Sequence, residues 1–448
     1  MPTPSLLSIL PFAIMLACIA LMPLIPRTQH WWDNNRNKLL LSLSLSLPIV
    51  LYYFFRDFGY HSAHGASDPG FSTALVILKH AFLDEYAPFI VLLFSLFVIS
   101  GGINLRGDIP AHPITNTIFL ALGAGLASFI GTTGAAMLLI RPVLQINSER
   151  RHVRHTVIFF IFLVANIGGC LLPIGDPPLF LGYLLGVPFM WTLQLWKEWL
   201  FCTVVLLIVY FIWDMIAWRT ETQPDKEHED AVRIPLQLTG RINFLLLLGV
   251  VLAAGLIDPS KNFLGTSWKP FPYLREAVLL SLSGLSWALT KREVRVANDF
   301  SFHPIAEVAA LFIGIFVTMQ APVELLTLKG ASLGLLKPWQ FFWASGMLSS
   351  VLDNAPTYVV FFSTACSLPE SLQSLVVQFG KIDLGLLAAI SCGSVFMGAN
   401  TYIGNGPNFM VKSIAERSGV EMPHFFHYML YSGCVLIPLF ILVTFVFF

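Results

Sequence analysis

Apolar stretches of roughly twenty residues alternate along the chain with short polar connections, which is the pattern of membrane-crossing helices. They fall at 5–25, 38–55, 86–104, 115–145, 156–190, 199–218, 242–258, 274–290, 304–321, 339–365, 384–411 and 424–447. Four are interrupted. The stretch 339–365 holds Gly346-Met347-Leu348-Ser349-Ser350-Val351-Leu352-Asp353-Asn354-Ala355-Pro356-Thr357 between two runs too short to span a bilayer. It reads as a re-entrant hairpin, two half-helices meeting at a polar tip, and 115–145 reads the same way. Segments 156–190 and 384–411 carry breaks near 173–178 and 400–407. The expectation is an all-α polytopic membrane protein of ten spans and two hairpins. Backbone that leaves the helix at membrane depth must be buried in protein or line a wet cavity, because lipid offers it no hydrogen-bond partner.

The breaks recur. Gly125 to Ala136 aligns with Gly346 to Thr357, placing Thr132-Thr133 on Asp353-Asn354. Pro173-Ile174-Gly175-Asp176-Pro177-Pro178-Leu179-Phe180 aligns with Tyr402-Ile403-Gly404-Asn405-Gly406-Pro407-Asn408-Phe409, and Leu92 to Val98 aligns with Leu311 to Val317. Three matches in one order and at similar spacing indicate an internal duplication, with an N-terminal half 1–218, a linker 219–241 and a C-terminal half 242–448. Paired Gly/Pro-broken helices in two halves point to a secondary transporter and to the place of its site.

Composition narrows the classes further. The 448 residues are 56% hydrophobic and 12% charged, with no net charge, so a soluble globule and a nucleic-acid footprint are both excluded. The six cysteines lie mostly in apolar runs without metal-ligand spacing. Placing the loop after the first helix in the cytoplasm puts sixteen Lys/Arg on that side and nine on the other, which favours both termini outside. The two hairpins then enter from opposite faces, the mark of an inverted repeat. The polar stretch 221–233 suits a solvated cytoplasmic linker. The external loop 57–80, with His61, His64 and His80, has no assigned role. No nucleophile elbow or His pair on a helix suggests an enzyme, and no cofactor is expected.

Four elements should converge near the midplane: the tips 131–134 and 352–356 and the breaks 173–178 and 400–408. Helix breaks free carbonyls that suit Na⁺ or Li⁺, and half-helix N-termini suit an anion. Neutral oxygens are offered by Ser128, Thr132, Thr133, Ser349, Ser350, Asn354, Thr357, Asn400, Thr401 and Asn405. Asp353 and Asp176, one from each half, supply charge, and on such carboxylates Na⁺ and H⁺ compete. The plainer reading is that each Asp caps the half-helix that follows it. Glu307 is a candidate proton carrier or the partner of Arg141 or a Lys. Asp214 suggests an interfacial pair with Arg219, and Trp191, Trp196, Trp199, Trp213 and Trp218 mark membrane boundaries.

These residues resemble the ion transporter superfamily, which includes NhaD-type sodium/proton antiporters, citrate/metal transporters, arsenite-pump subunits and sodium/dicarboxylate symporters. The resemblance covers roughly Glu85 to Phe180 and Glu307 to Met410. Val351-Leu352-Asp353-Asn354-Ala355-Pro356-Thr357 is similar to the Asp-Asn hairpin signature of the antiporter and arsenite branches, and Pro173-Ile174-Gly175-Asp176 to the Pro-Ile-Gly-Asp run of NhaD-type proteins. The resemblance implies scaffold and elevator-type transport domains in a homodimer. Dicarboxylate symporters carry Ser-Asn-Thr at both tips, where this chain has Gly131-Thr132-Thr133 and Asp353-Asn354-Ala355. A carboxylate at the tip repels an organic anion, so Na⁺(Li⁺)/H⁺ antiport in a bacterial inner membrane is the leading expectation. Cation-coupled citrate uptake and arsenite-type efflux are the alternatives.

Overall fold

The structure is a computed structural model that describes residues 4–23, 25–62, 65–221, 234–259, 262, 263, 266–369 and 371–448. Its helices of eight residues or more are α1 (Leu10–Leu21), α2 (Asn35–Phe55), α3 (Phe71–Lys79), α4 (Ala87–Ser100), α5 (Pro113–Ile130), α6 (Thr132–Ile146), α7 (Arg154–Leu163), α8 (Pro177–Leu184) and α9 (Trp196–Thr220). There follow α10 (Ile242–Leu256), α11 (Leu274–Leu289), α12 (His303–Thr318), α13 (Gln320–Lys329), α14 (Pro338–Val351), α15 (Asn354–Cys366), α16 (Leu384–Phe396), α17 (Gly406–Arg417) and α18 (Phe425–Phe447). A π-helical turn, His80–Tyr86, joins α3 to α4 without interruption.

Helix faces are sorted in reverse of a soluble protein. On α9, Leu200, Val204, Ile208, Ile212 and Ile216 form an exposed stripe at every fourth residue, while Thr203, Tyr210 and Asp214 are buried. On α2 the leucines Leu40, Leu43, Leu47 and Leu51 face out, while Ser42 and Ser46 face the protein. An apolar outer surface with hydroxyls inside is what a hydrocarbon solvent selects.

Five helical stretches are long and apolar enough to cross a membrane alone: Asn35–Phe55, Phe71–Ser100, Pro113–Ile130, Phe189–Thr220 and Phe425–Phe447. α12 together with Gln320–Leu333, bent by 41°, makes a sixth. Of the ten spans expected from hydropathy, two of them broken, five or six are therefore present as continuous long helical stretches among the described residues. α7 stops because Asn166 leaves helical geometry (φ −140°, ψ −83°) and its Nδ2 donates to the Ile161 carbonyl at 2.8 Å. α10 stops at Leu256, where Ile257 leaves helical geometry (φ −94°, ψ 87°), two residues ahead of Pro259.

The polar stretch 221–233 lies outside the described residues apart from Glu221; after it, β1 (Asn104–Asp108) pairs antiparallel with β2 (Ile234–Thr239). A second ribbon joins β3 (Ser374–Val377) to β4 (Gly380–Asp383). Asp214 does not pair with Arg219. It is fully buried and accepts from Arg150 Nη2 at 2.7 Å and Nη1 at 3.1 Å, with His155 Nε2 at 2.8 Å. Removing one partner of such a pair strands a buried charge, so Asp214→Ala should lower unfolding stability by about 3–5 kcal/mol. Denaturant titration in detergent checks this, and an unshifted transition would show that the network carries no stability.

Candidate ion-binding site at four helix breaks

Each break follows from its local sequence. Between α5 and α6 stands Gly131 at φ +79°, ψ 150°, a conformation that a side chain tolerates poorly. The two helices fold back on one another: a Cβ at Gly123, well before the break, would meet Leu139, equally far after it, at 3.1 Å. Between α14 and α15 the chain turns at Leu352-Asp353, and Phe341 and Phe361 meet edge to face across the fold, ring centres 6.4 Å apart. Gly131→Ala should cost roughly 1–3 kcal/mol in backbone strain, with a matching fall in the detergent melting temperature; a wild-type melt would show that the turn is not strained.

The other two breaks are built alike. Short 3₁₀ turns, Ile167–Cys170 and Met397–Asn400, lead to extended residues Asp176 (φ −144°, ψ 143°) and Asn405 (φ −152°, ψ 139°), after which Pro177 and Gly406-Pro407 restart the helix. In each break the chain passes over itself at a glycine: a side chain on Gly175 would collide with the Gly169 carbonyl, and one on Gly404 with the Gly398 carbonyl. Gly169, Gly175 and Asp176 thus match Gly398, Gly404 and Asn405 in the same register that the sequence alignment of the two breaks gives.

The four breaks meet at Asp176, which is 1% exposed. Its Oδ1 accepts from Thr132 Oγ1 at 2.9 Å and Asn405 Nδ2 at 3.2 Å, and its Oδ2 from Asn354 Nδ2 at 2.5 Å. The donors come from the first tip, the second break and the second tip. All three are neutral, so no cationic donor among the described residues balances this carboxylate. Asn354 has its Oδ1 buried without a hydrogen-bond partner among the described residues, as does Asn400. An orphaned acceptor oxygen beside a carboxylate is a fitting ligand for a small hard cation.

Asp353 caps α15, its Oδ1 accepting from the Ala355 N–H at 3.2 Å. It also faces a cavity of about 100 Å³, together with Thr132, Thr133, Gly175, Asn405 and Gly406. The opposite wall is apolar, made of Leu93, Leu96 and Phe97 of α4 and Pro304, Ile305, Val308 and Phe312 of α12. Among the described residues, Asp353 is the one ionisable side chain in this lining.

Other expected ligands serve as braces. Ser128 Oγ donates to the Gly168 carbonyl at 2.5 Å and Ser349 Oγ, its counterpart in the second half, to the Ser394 carbonyl at 2.6 Å, each pinning a tip to its broken helix. Ser350 Oγ donates to the Gly346 and Met397 carbonyls and accepts from Asn400 Nδ2 at 2.8 Å. Thr401 Oγ1 donates to the Ser350 carbonyl, and Thr357 Oγ1 to the Asp353 carbonyl. Glu307 turns away from the cavity to Lys38 Nζ at 2.6 Å, while Arg141 pairs with Asp299 at 3.1 Å.

Sequence reasoning missed Asn166. Its Nδ2 donates to Asn408 Oδ1 at 2.7 Å and its Oδ1 accepts from Asn405 Nδ2 at 3.3 Å, so it clamps one break to the other. The available signal was a single amide inside the apolar run Phe159 to Ile167.

Lipid-facing helices broken at paired polar sites around a small acidic cavity define an integral membrane protein of the secondary-transporter class. The family model described as "Putative citrate transport" matches residues 2–448, and the chain belongs to that family. No match is found among curated proteins.

Proposed function

We propose that the protein exchanges Na⁺ or Li⁺ for H⁺ by alternating access, with Asp353 as the carboxylate that takes cation and proton in turn. The observation that carries this reading is the cavity beside Asp353: among the described residues it holds an acidic side chain and no basic one, and at about 100 Å³ it has room for an ion with a few waters. A cation entering it meets the Asp353 carboxylate and the Thr133 hydroxyl, while Asn354, next to Asp353 in the chain, lies behind the lining. Asn354 also binds Asp176 through Nδ2, so it links the two carboxylates. A cation and a proton cannot occupy one carboxylate together, and that competition is the coupling.

The breaks in the two halves, at matching spacing and with matching local geometry, support reading 1–218 and 242–448 as inverted repeats around 219–241, with both folded-back helix pairs as re-entrant hairpins. Both termini outside, a bacterial inner membrane and a homodimer of elevator type complete the reading.

A second reading is favoured by the family's description and by one structural feature. The N-termini of α6 at Thr132-Thr133 and of α17 at Gly406-Pro407 both end at the cavity, where backbone N–H groups attract anions. Citrate would then enter with a cation bound to Asp353. Proteoliposomes with an internal pH dye separate the two. Antiport gives proton movement on adding Na⁺ or Li⁺ alone, whereas a response to citrate and to neither cation alone would replace it with the second reading.

A further inference from the structure

A further buried carboxylate lies at the other end of α4 from the cavity wall. Glu85 is 4% exposed, and its Oε2 accepts from Gln320 Nε2 at 2.8 Å. His80 Nδ1 stands 3.8 Å from the same oxygen, buried and without a hydrogen-bond partner among the described residues. On a regular α-helix, residues five apart point about 140° away from each other. The π turn His80–Tyr86 brings them to one face, and such turns are rare and frequently found at functional sites. On its far side, His80 Nε2 lies 2.6 Å from the Gln378 side-chain amide of the β3–β4 ribbon. An amide flips to accept from Nε2–H or to donate to a bare Nε2, so it serves both protonation states of the imidazole.

One turn inward, Phe89 stacks on Phe312, centres 4.7 Å apart, and packs against Phe316 at 5.5 Å and Phe180 at 6.5 Å. Phe312 also lines the Asp353 cavity, so the phenylalanines divide that cavity from the Glu85 pair. The cavity wall runs from Phe312 back to Pro304 at the start of α12, away from Glu85.

Resting on the transport reading above, we propose that Glu85 and His80 form a second proton-binding site, which loads protons on the far side of the phenylalanine barrier from Asp353. The charged and titratable groups around it are few. Asp84 and Lys79 are exposed, and Tyr60 lies within electrostatic reach. Glu324, one turn past Gln320, is neutralised by Arg56 at 2.9 and 3.1 Å and accepts from Tyr53 Oη at 2.8 Å. α8 brings Phe180 and Tyr183, and the ionisable groups of α12, His303 and Glu307, lie in its first turns.

The test uses the full chain in proteoliposomes, following the internal pH dye and, separately, equilibrium exchange of radioactive Na⁺ for Na⁺ between external pH 5.5 and 8.5. Glu85→Gln, isosteric and still able to bond Gln320, should cut cation-driven proton movement roughly tenfold or more while Na⁺-for-Na⁺ exchange stays within about twofold. His80→Gln takes the imidazole from beside Glu85, so it too should lower cation-driven proton movement while Na⁺-for-Na⁺ exchange stays within about twofold. Two results would overturn the proposal alone: wild-type proton movement in both variants, or equal loss of both fluxes in Glu85→Gln, the mark of a structural role. A wild-type protein that moves no protons with Na⁺, Li⁺ or citrate would remove the transport reading and this site with it.

Discussion

Asp353→Asn should abolish cation-driven proton movement, by roughly 100-fold or more, in a protein that melts as the wild type does. The two halves of that expectation rest on different atoms. Asn is as good a helix cap as Asp, so the bond to the Ala355 N–H survives and α15 starts where it did. What disappears is the one ionisable group that the described residues give the cavity, and a neutral amide cannot release a proton to a cation. Dye-monitored exchange and a detergent melt on one preparation check both halves. Unchanged exchange would refute the role of Asp353, and loss of fold would mean that its charge serves structure.

Asp176→Ala should behave in the opposite way, with fold lost before function is measurable. Three buried donors, on Thr132, Asn354 and Asn405, converge on this carboxylate, and water has little access to a residue 1% exposed. Asn405 Nδ2 keeps the Ala165 carbonyl and Asn166 Oδ1, but stranding the Thr132 and Asn354 donors should cost roughly 2–5 kcal/mol, since each unpaired buried donor costs about 1–3 kcal/mol. The three come from the first tip, the second tip and the second break, so the damage should spread beyond α8. The readouts are folded yield and melting temperature. A stably folded Asp176→Ala protein would show that Asp176 does not hold the breaks together.

The contrast between these two aspartates was only half visible in the sequence. Proline, glycine and the spacing repeated between the halves announced the breaks at Gly131 and Asp353, and the repeat is what counted, since Pro48, Pro142 and Pro438 lie inside α2, α6 and α18 without ending them. The same logic placed Asp176 and Asn405. Orientation was not legible. Ser349 and Ser350 have the right oxygens for a cation, yet both hydroxyls are spent on carbonyls of the neighbouring broken helix, a choice made by packing across 45 and 47 residues. Asp214 has Arg219 close in sequence, but its partner is Arg150, brought from 64 residues away by the packing of α9 on α7. Glu85 looked like the outer end of an apolar segment starting at 86. Its pairing with His80 depends on a π turn that no helical periodicity predicts. The β2 strand hid in a linker whose polar composition masked its alternation.

The most direct test of the central claim is proton movement in proteoliposomes of the wild-type protein under an imposed pH gradient, with Na⁺, Li⁺, K⁺ and then citrate added in turn. Cation/proton exchange at Asp353 predicts that Na⁺ or Li⁺ alone collapses the gradient and that citrate adds nothing. A gradient that stays intact with every cation and collapses with citrate would contradict it.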